Sequence, residues 1–191
     1  AKNLLMAALL VISSGQNEEK IFEILENVKP VRGRMELAAT KKNGATVYVD
    51  YAHTPDAIEV ALKSLKPHIL GKLIVIIGAG GERDEGKRPL MGKAAEKNSD
   101  FVIITDDNPR KEDPSLIHQM IKNGIQDNGK VMVIADRAEA ILKAVDLLDT
   151  GDGLLIAGKG HETEQFIGEN IFPFDDFEQA SLSVASLDGV E

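Results

Sequence analysis

Between residues 46 and 157, short apolar runs of strand length alternate with amphipathic stretches of helical length, and this restricts the fold more than any other feature. Strands are expected at 46–49, 72–77, 101–105, 130–135 and 153–157, with helices at 55–66, 89–98, 114–123 and 137–148 between them. Strands separated by helices of this length form βαβ units around a parallel sheet. The pattern predicts a doubly wound α/β domain with a mostly parallel, Rossmann-like sheet. Two hairpins flank it. Met35–Ala39 and Thr46–Val49 enclose Asn43-Gly44, a hairpin-turn pair, and residues 165–167 and 170–172 enclose Gly168-Glu169. Asp175 is placed to cap a final helix running to about Leu187. At the other end, residues 3–13 and 17–26 read as two short helices ahead of Pro30. The first is apolar almost all round, so it should bury against other protein. The expected division is a helical appendage over residues 1–30 and an α/β domain over 31–191.

Parallel strands end on one edge, where open α/β sheets bind ligands. The strand at 101–105 stops in Asp106-Asp107-Asn108-Pro109-Arg110. Pro109 fixes its own φ and pushes Asn108 towards an extended conformation, so the loop is stiff. It carries groups for an ammonium and for a carboxylate, which suits a zwitterion, most simply an amino acid; the bland alternative is a solvated Asx-Pro turn. The other strand ends run into Asp50-Tyr51-Ala52-His53, into the glycine-rich stretch Gly78–Pro89, and into Gly158-Lys159-Gly160-His161-Glu162. All are expected to converge on one cleft. Asp50 and His53 can meet a sugar hydroxyl, a base or a phosphate, or form a structural pair. Glu162 opposite Arg110 can complete recognition of an amino acid at two ends. His68 and His118 receive no role.

The glycine-rich loop imitates two signatures and satisfies neither. Gly78-x-Gly80-x-x-Arg83 lacks the third glycine of the dinucleotide fingerprint. Gly81 to Lys87 spells Gly-x-x-x-x-Gly-Lys, but Arg88 stands where a phosphate-binding loop needs a hydroxyl for Mg²⁺. What remains is a turn rich in donors, with Arg83, Lys87 and Arg88 suited to anions.

Composition removes several classes. The 191 residues hold 22 Lys plus Arg against 31 Asp plus Glu, a net charge of −9, and no basic run interleaved with aromatics, so nucleic acid is a poor partner. Without cysteine there is no thiolate nucleophile and no Cys-ligated metal, which fits a cytoplasmic chain. Leu4–Ile12 is too short to span a bilayer and no metal-ligand spacing stands out. The first residue is not methionine, and a piece of a longer protein is expected.

Taken together, Gly33-Arg34-Met35-Glu36, Val49–Asp56, Gly80-Gly81-Glu82-Arg83-Asp84 with Gly86-Lys87-Arg88-Pro89, Asp107–Arg110 and Gly158–Glu162 resemble, in order, the C-terminal part of the Mur ligases, most closely the MurE type. The resemblance implies an enzyme of peptidoglycan synthesis. ATP activates a carboxylate of a UDP-linked muramoyl peptide as an acyl phosphate, and an amino acid's amine attacks it to give an amide, ADP and phosphate. In this family Asp-Asn-Pro-Arg marks addition of meso-diaminopimelate rather than L-lysine. Carried over, Arg83, Asp107, Asn108, Pro109, Arg110, Gly158 and Glu162 hold that amino acid, Asp50 and His53 lie on the nucleotide side, and no residue is assigned to catalysis. ATP and Mg²⁺ are expected mainly on a central domain that this chain lacks, as it lacks the UDP-binding domain. Residues 1–30 are then the tail of the central domain, and the chain alone folds without turning over. A charge-assisted bidentate contact at Arg110 is worth roughly 1.5–3 kcal/mol, enough to discriminate against lysine, which has no distal carboxylate. Two rival readings are a non-catalytic amino-acid or nucleotide-binding module and a P-loop phosphotransferase.

Overall fold

The structure, a computed structural model, describes residues 2–25, 27–28 and 31–189. It divides into two compact units, Ala1–Val31 and Arg32–Glu191. The first holds helices α1 (Lys2–Ser13) and α2 (Glu18–Leu25). Leu5, Met6, Leu9 and Leu10 of α1 and Ile24 of α2 are exposed in this chain.

The second unit contains β1 (Glu36–Thr40), β2 (Thr46–Asp50), α3 (Pro55–Leu65), β3 (Leu73–Ile77), α4 (Lys87–Asn98), β4 (Phe101–Ile104), α5 (Pro114–Lys122), β5 (Val131–Val133), α6 (Arg137–Asp146), β6 (Gly153–Ala157), β7 (Glu164–Ile167), β8 (Asn170–Pro173) and α7 (Asp176–Asp188). Six strands form one sheet in the order β1-β2-β6-β3-β4-β5, antiparallel only at β1–β2. The fold is therefore the doubly wound, mostly parallel α/β architecture that the alternation predicts. β3 and β6 are buried along their whole length because helices cover both faces. Alternation sorts their side chains. Val75, Ile77, Val102, Ile104 and Leu155 meet α3, α4 and α5 on one face, while Ile74, Ile76, Ile103, Leu154 and Ile156 meet α6 and α7 on the other. The path β2-β3-β4-β5 steps outward with three helices on one face, and the return from β5 to β6 puts α6 on the opposite face, as the handedness of crossovers requires.

Local chemistry sets the helix starts. Thr54 Oγ1 accepts the Ala57 N–H ahead of Pro55, Asp113 accepts Ser115 N–H ahead of Pro114, and Asp136 and Asp175 cap α6 and α7. Two boundaries differ from expectation. α4 begins at Lys87 rather than Pro89, because a proline in the first turn forfeits no helical bond. β5 spans three residues of the six expected: Lys130 belongs to a 3₁₀ turn over 128–130, and the strand ends at Val133, two residues early.

Candidate functional site

Four strand ends meet at a cavity of about 220 Å³ lined by Tyr51 and His53 after β2, by Gly80, Arg83 and Lys87 after β3, by Asp107 and Arg110 after β4, and by Gly158 after β6. Arg83, Lys87 and Arg110 supply three cations to this lining and Asp107 one carboxylate. Asp107 is 8 % exposed, and its carboxylate makes no hydrogen bond among the described residues. Lys159 and Arg137 feel its charge from behind, and its open side towards the cavity, free of hydrogen bonds, suits an ammonium.

Arg110 owes its place to backbone geometry. Its φ is +53°, a conformation a side chain rarely adopts, and it is held there by β7: Arg110 N–H donates to Phe166 O at 3.0 Å, and Gly168 N–H donates to Arg110 O at 2.7 Å. Its guanidinium Nη1 donates to Gly81 O at 2.9 Å, welding the glycine-rich loop to the loop after β4. Gly81 is required for that approach, since a Cβ there would sit 1.9 Å from Pro109 O. Pro109 thus shapes the corner and need not itself touch a ligand. Gly158 has φ +120°, and a Cβ on it would stand 2.6 Å from the Asp107 carboxylate, so glycine keeps that carboxylate open.

Asn108, Glu162 and Asp50 lie beside the cavity rather than in its lining. Asn108 is buried, its Oδ1 accepting from Lys159 Nζ at 2.8 Å and Phe166 N–H at 3.0 Å, its Nδ2 donating to Glu162 Oε2 at 3.0 Å. The Asp50 carboxylate accepts Met35 N–H and Ala52 N–H, at 2.7 and 2.8 Å, which fixes the turn that presents His53. His53 Nδ1 is 2.8 Å from Tyr51 O, so the neutral ring carries its proton there and leaves Nε2 as a free acceptor. Arg34 lies 4.8 Å over the Tyr51 ring, and His53 and His161 flank that ring at 4.6 and 5.3 Å.

One donor expected to serve anions does not. Arg88 is fully buried, paired with Glu112 at 2.8 Å and donating to Gly80 O, so it braces the loop from behind instead of facing the cavity. The loop is correspondingly tied down.

Several supporting residues were not legible in the sequence. Arg137 and Asp176 form a fully buried ion pair, and Arg137 also donates to Asp106 O and Ala157 O, anchoring two of the site's strand ends. Burial alone would lower the Arg137 pKa, but the Asp176 carboxylate outweighs it and raises the pKa. Burial pushes the Lys159 ammonium down, against the pull of Asp107 and Glu162. His118 Nε2 meets Asp106 Oδ1 at 2.7 Å, so the first carboxylate of the Asp-Asp pair turns away from the cavity. These partners are tens of residues apart, and only Asp106, at a strand end, carries any sequence signal. No group of three or more His, Asp or Glu side chains suited to a metal gathers among the described residues, and no helix there is long and apolar enough to cross a membrane.

A mostly parallel sheet with a charged cleft at its carboxyl edge, where open α/β sheets bind ligands, defines the class of protein as a doubly wound α/β domain. Residues 33–160 match the family model described as Mur ligase, glutamate ligase domain, and the chain belongs to that family. It is 46 % identical over 185 residues to the UDP-N-acetylmuramoyl-L-alanyl-D-glutamate–2,6-diaminopimelate ligase of Bradyrhizobium diazoefficiens, covering 97 % of this chain and 37 % of that protein. To the ligase of the same name from Rickettsia prowazekii it is 52 % identical over 180 residues, covering 93 % of this chain and 36 % of the relative. A solved structure of a ligase with that name superposes with a TM-score of 0.77 at 38 % identity, over 97 % of this chain and 38 % of the other. The chain thus spans little more than a third of the relatives it matches.

Proposed function

We propose that this chain is the amino-acid-binding part of an ATP-dependent ligase that adds meso-diaminopimelate to UDP-N-acetylmuramoyl-L-alanyl-D-glutamate in peptidoglycan synthesis. The observation that carries the reading is the unpaired Asp107 carboxylate set in one cavity with Arg83 and Arg110. A double-ended amino acid has two ammonium and two carboxylate groups. Asp107 and Glu162 offer two acceptors, Arg83 and Arg110 two forked donors, and Gly158 leaves room for the backbone of the ligand to approach. Asn108 and Pro109 hold these groups in place. Residues on the β2 side, His53 with its free Nε2 and Asp50 behind it, suit the sugar or base of a nucleotide. ATP, with Mg²⁺, would supply the phosphoryl group that activates the muramoyl peptide's carboxylate, held mainly by parts of the longer protein outside this chain, including the domain whose tail we take residues 1–30 to be. The part of this chain is to orient the incoming amine and exclude water from the activated acyl group.

Calorimetric titration of the chain with meso-diaminopimelate, L-lysine and ADP tests the reading. Diaminopimelate should bind about tenfold or more tightly than lysine, matching one charge-assisted contact. Equal affinity for the two amino acids contradicts it, and binding of ADP alone favours a nucleotide-binding module.

A further inference from the structure

Lys159 is fully buried and sits behind the cavity, where no step of the reading above uses it. Its Nζ donates to Asn108 Oδ1 at 2.8 Å and to Glu164 O at 2.7 Å, and lies 3.8 Å from Glu162 Oε2. An ammonium has hydrogens and no acceptor, so it can face only the oxygen of the Asn108 amide. The Phe166 N–H meets the same oxygen. With two donors aimed at one atom, the flipped amide would set NH₂ against both, and the orientation is therefore fixed by chemistry. The NH₂ end must then face Glu162, and it donates to Glu162 Oε2 at 3.0 Å.

We infer that Lys159 is a positioning residue for recognition of the ligand's distal ammonium, orienting the Asn108 amide so that it holds the Glu162 carboxylate towards the far end of a double-ended ligand. This deepens the proposed function and rests on it for the identity of the ligand. Glu162 is a half-exposed side chain on a short loop, with one oxygen held by Asn108 and the other unpaired among the described residues. Freed of Asn108 it would sample several rotamers, and the hold on a distal ammonium would weaken while the distal carboxylate stayed with Arg110 and the near end of the ligand with Asp107 and Arg83.

The test compares wild type, Lys159→Met, Asn108→Ala, Glu162→Gln and the double variant Lys159→Met/Glu162→Gln as the 191-residue protein. The readouts are the affinities for meso-diaminopimelate and for 2-aminopimelate, which keeps both carboxylates and lacks the distal ammonium, by calorimetry and the side-chain amide signals of Asn108 by ¹⁵N NMR. Lys159→Met should shift the Asn108 NH₂ signals and lower the diaminopimelate-to-2-aminopimelate affinity ratio about tenfold, with no further loss in the Glu162→Gln background. Asn108→Ala should lower the ratio equally; if Lys159→Met fails to fold, Lys159→Gln, which keeps a donor for the Asn108 oxygen, should hold the ratio near wild type, and its loss there would overturn the inference. An unchanged ratio in Asn108→Ala, or effects of Lys159 and Glu162 that simply add, overturns the inference. If wild type binds neither amino acid, the proposed ligand is wrong, while the NMR shift still reports whether Lys159 orients Asn108.

Discussion

Single residues at this site are legible in the sequence when they stand at a strand end and illegible when they work from beneath. Asp107 and Arg110 follow the apolar run of β4 directly, so the change from buried to charged marks them; Arg83 and Gly158 follow β3 and β6 in the same way. Lys159 lies between two glycines in an equally polar stretch, and nothing in its neighbours tells that it turns inward to Asn108. Its burial has a measurable signature. Because the folded state disfavours the ammonium, the unfolded chain binds more protons between the depressed pKa and the ordinary lysine value of 10.5, and stability rises with pH across that window. Wild type should therefore gain stability relative to Lys159→Met as pH climbs towards 10.5, read as the difference in urea midpoints. A flat difference would show that Lys159 is solvated after all.

At the scale of elements, the hairpin β7–β8 was legible and its purpose was not. Alternating residues around Gly168-Glu169 give two strands, but pairing with the loop after β4 depends on contacts some 58 positions apart, such as Gln165 Nε2 with Asp107 O and Phe166 N–H with Asn108 Oδ1. The strand acts as a backing plate that keeps Arg110 in its left-handed conformation. Phe166→Pro removes the N–H that Asn108 accepts while keeping an extended φ. Its expected effect is about tenfold or greater acceleration of hydrogen exchange at the Arg110 amide. Protection equal to wild type would mean that the loop after β4 holds its shape alone. Boundaries such as β5, three residues in place of six, escape sequence reading because an edge strand has a partner on one side only and its ends give way to turns, as Lys130 does to a 3₁₀ turn.

For the molecule as a whole, the order of elements predicts the doubly wound sheet because handed crossovers leave few alternatives, and it predicts one cleft because parallel strands share an edge. What order cannot supply is the buried pair Arg137–Asp176, which joins the first turn of α6 to α7 and ties both to the ends of β4 and β6. Breaking it with Asp176→Leu strands a buried guanidinium and should cost about 3–5 kcal/mol, whereas the double variant Arg137→Met/Asp176→Leu should recover much of that, as measured by urea unfolding. Equal losses in the two would assign the cost to packing. The claim that joins these scales is that a guanidinium at the mouth of β4 takes the distal carboxylate of a double-ended amino acid. A crystal structure of this chain grown with meso-diaminopimelate tests it most directly: the distal carboxylate should lie about 3 Å from the Arg110 guanidinium, with one ammonium on Asp107. A ligand whose distal carboxylate points to solvent or to Lys87, leaving Arg110 bonded only to Gly81 and Asn108, would contradict it.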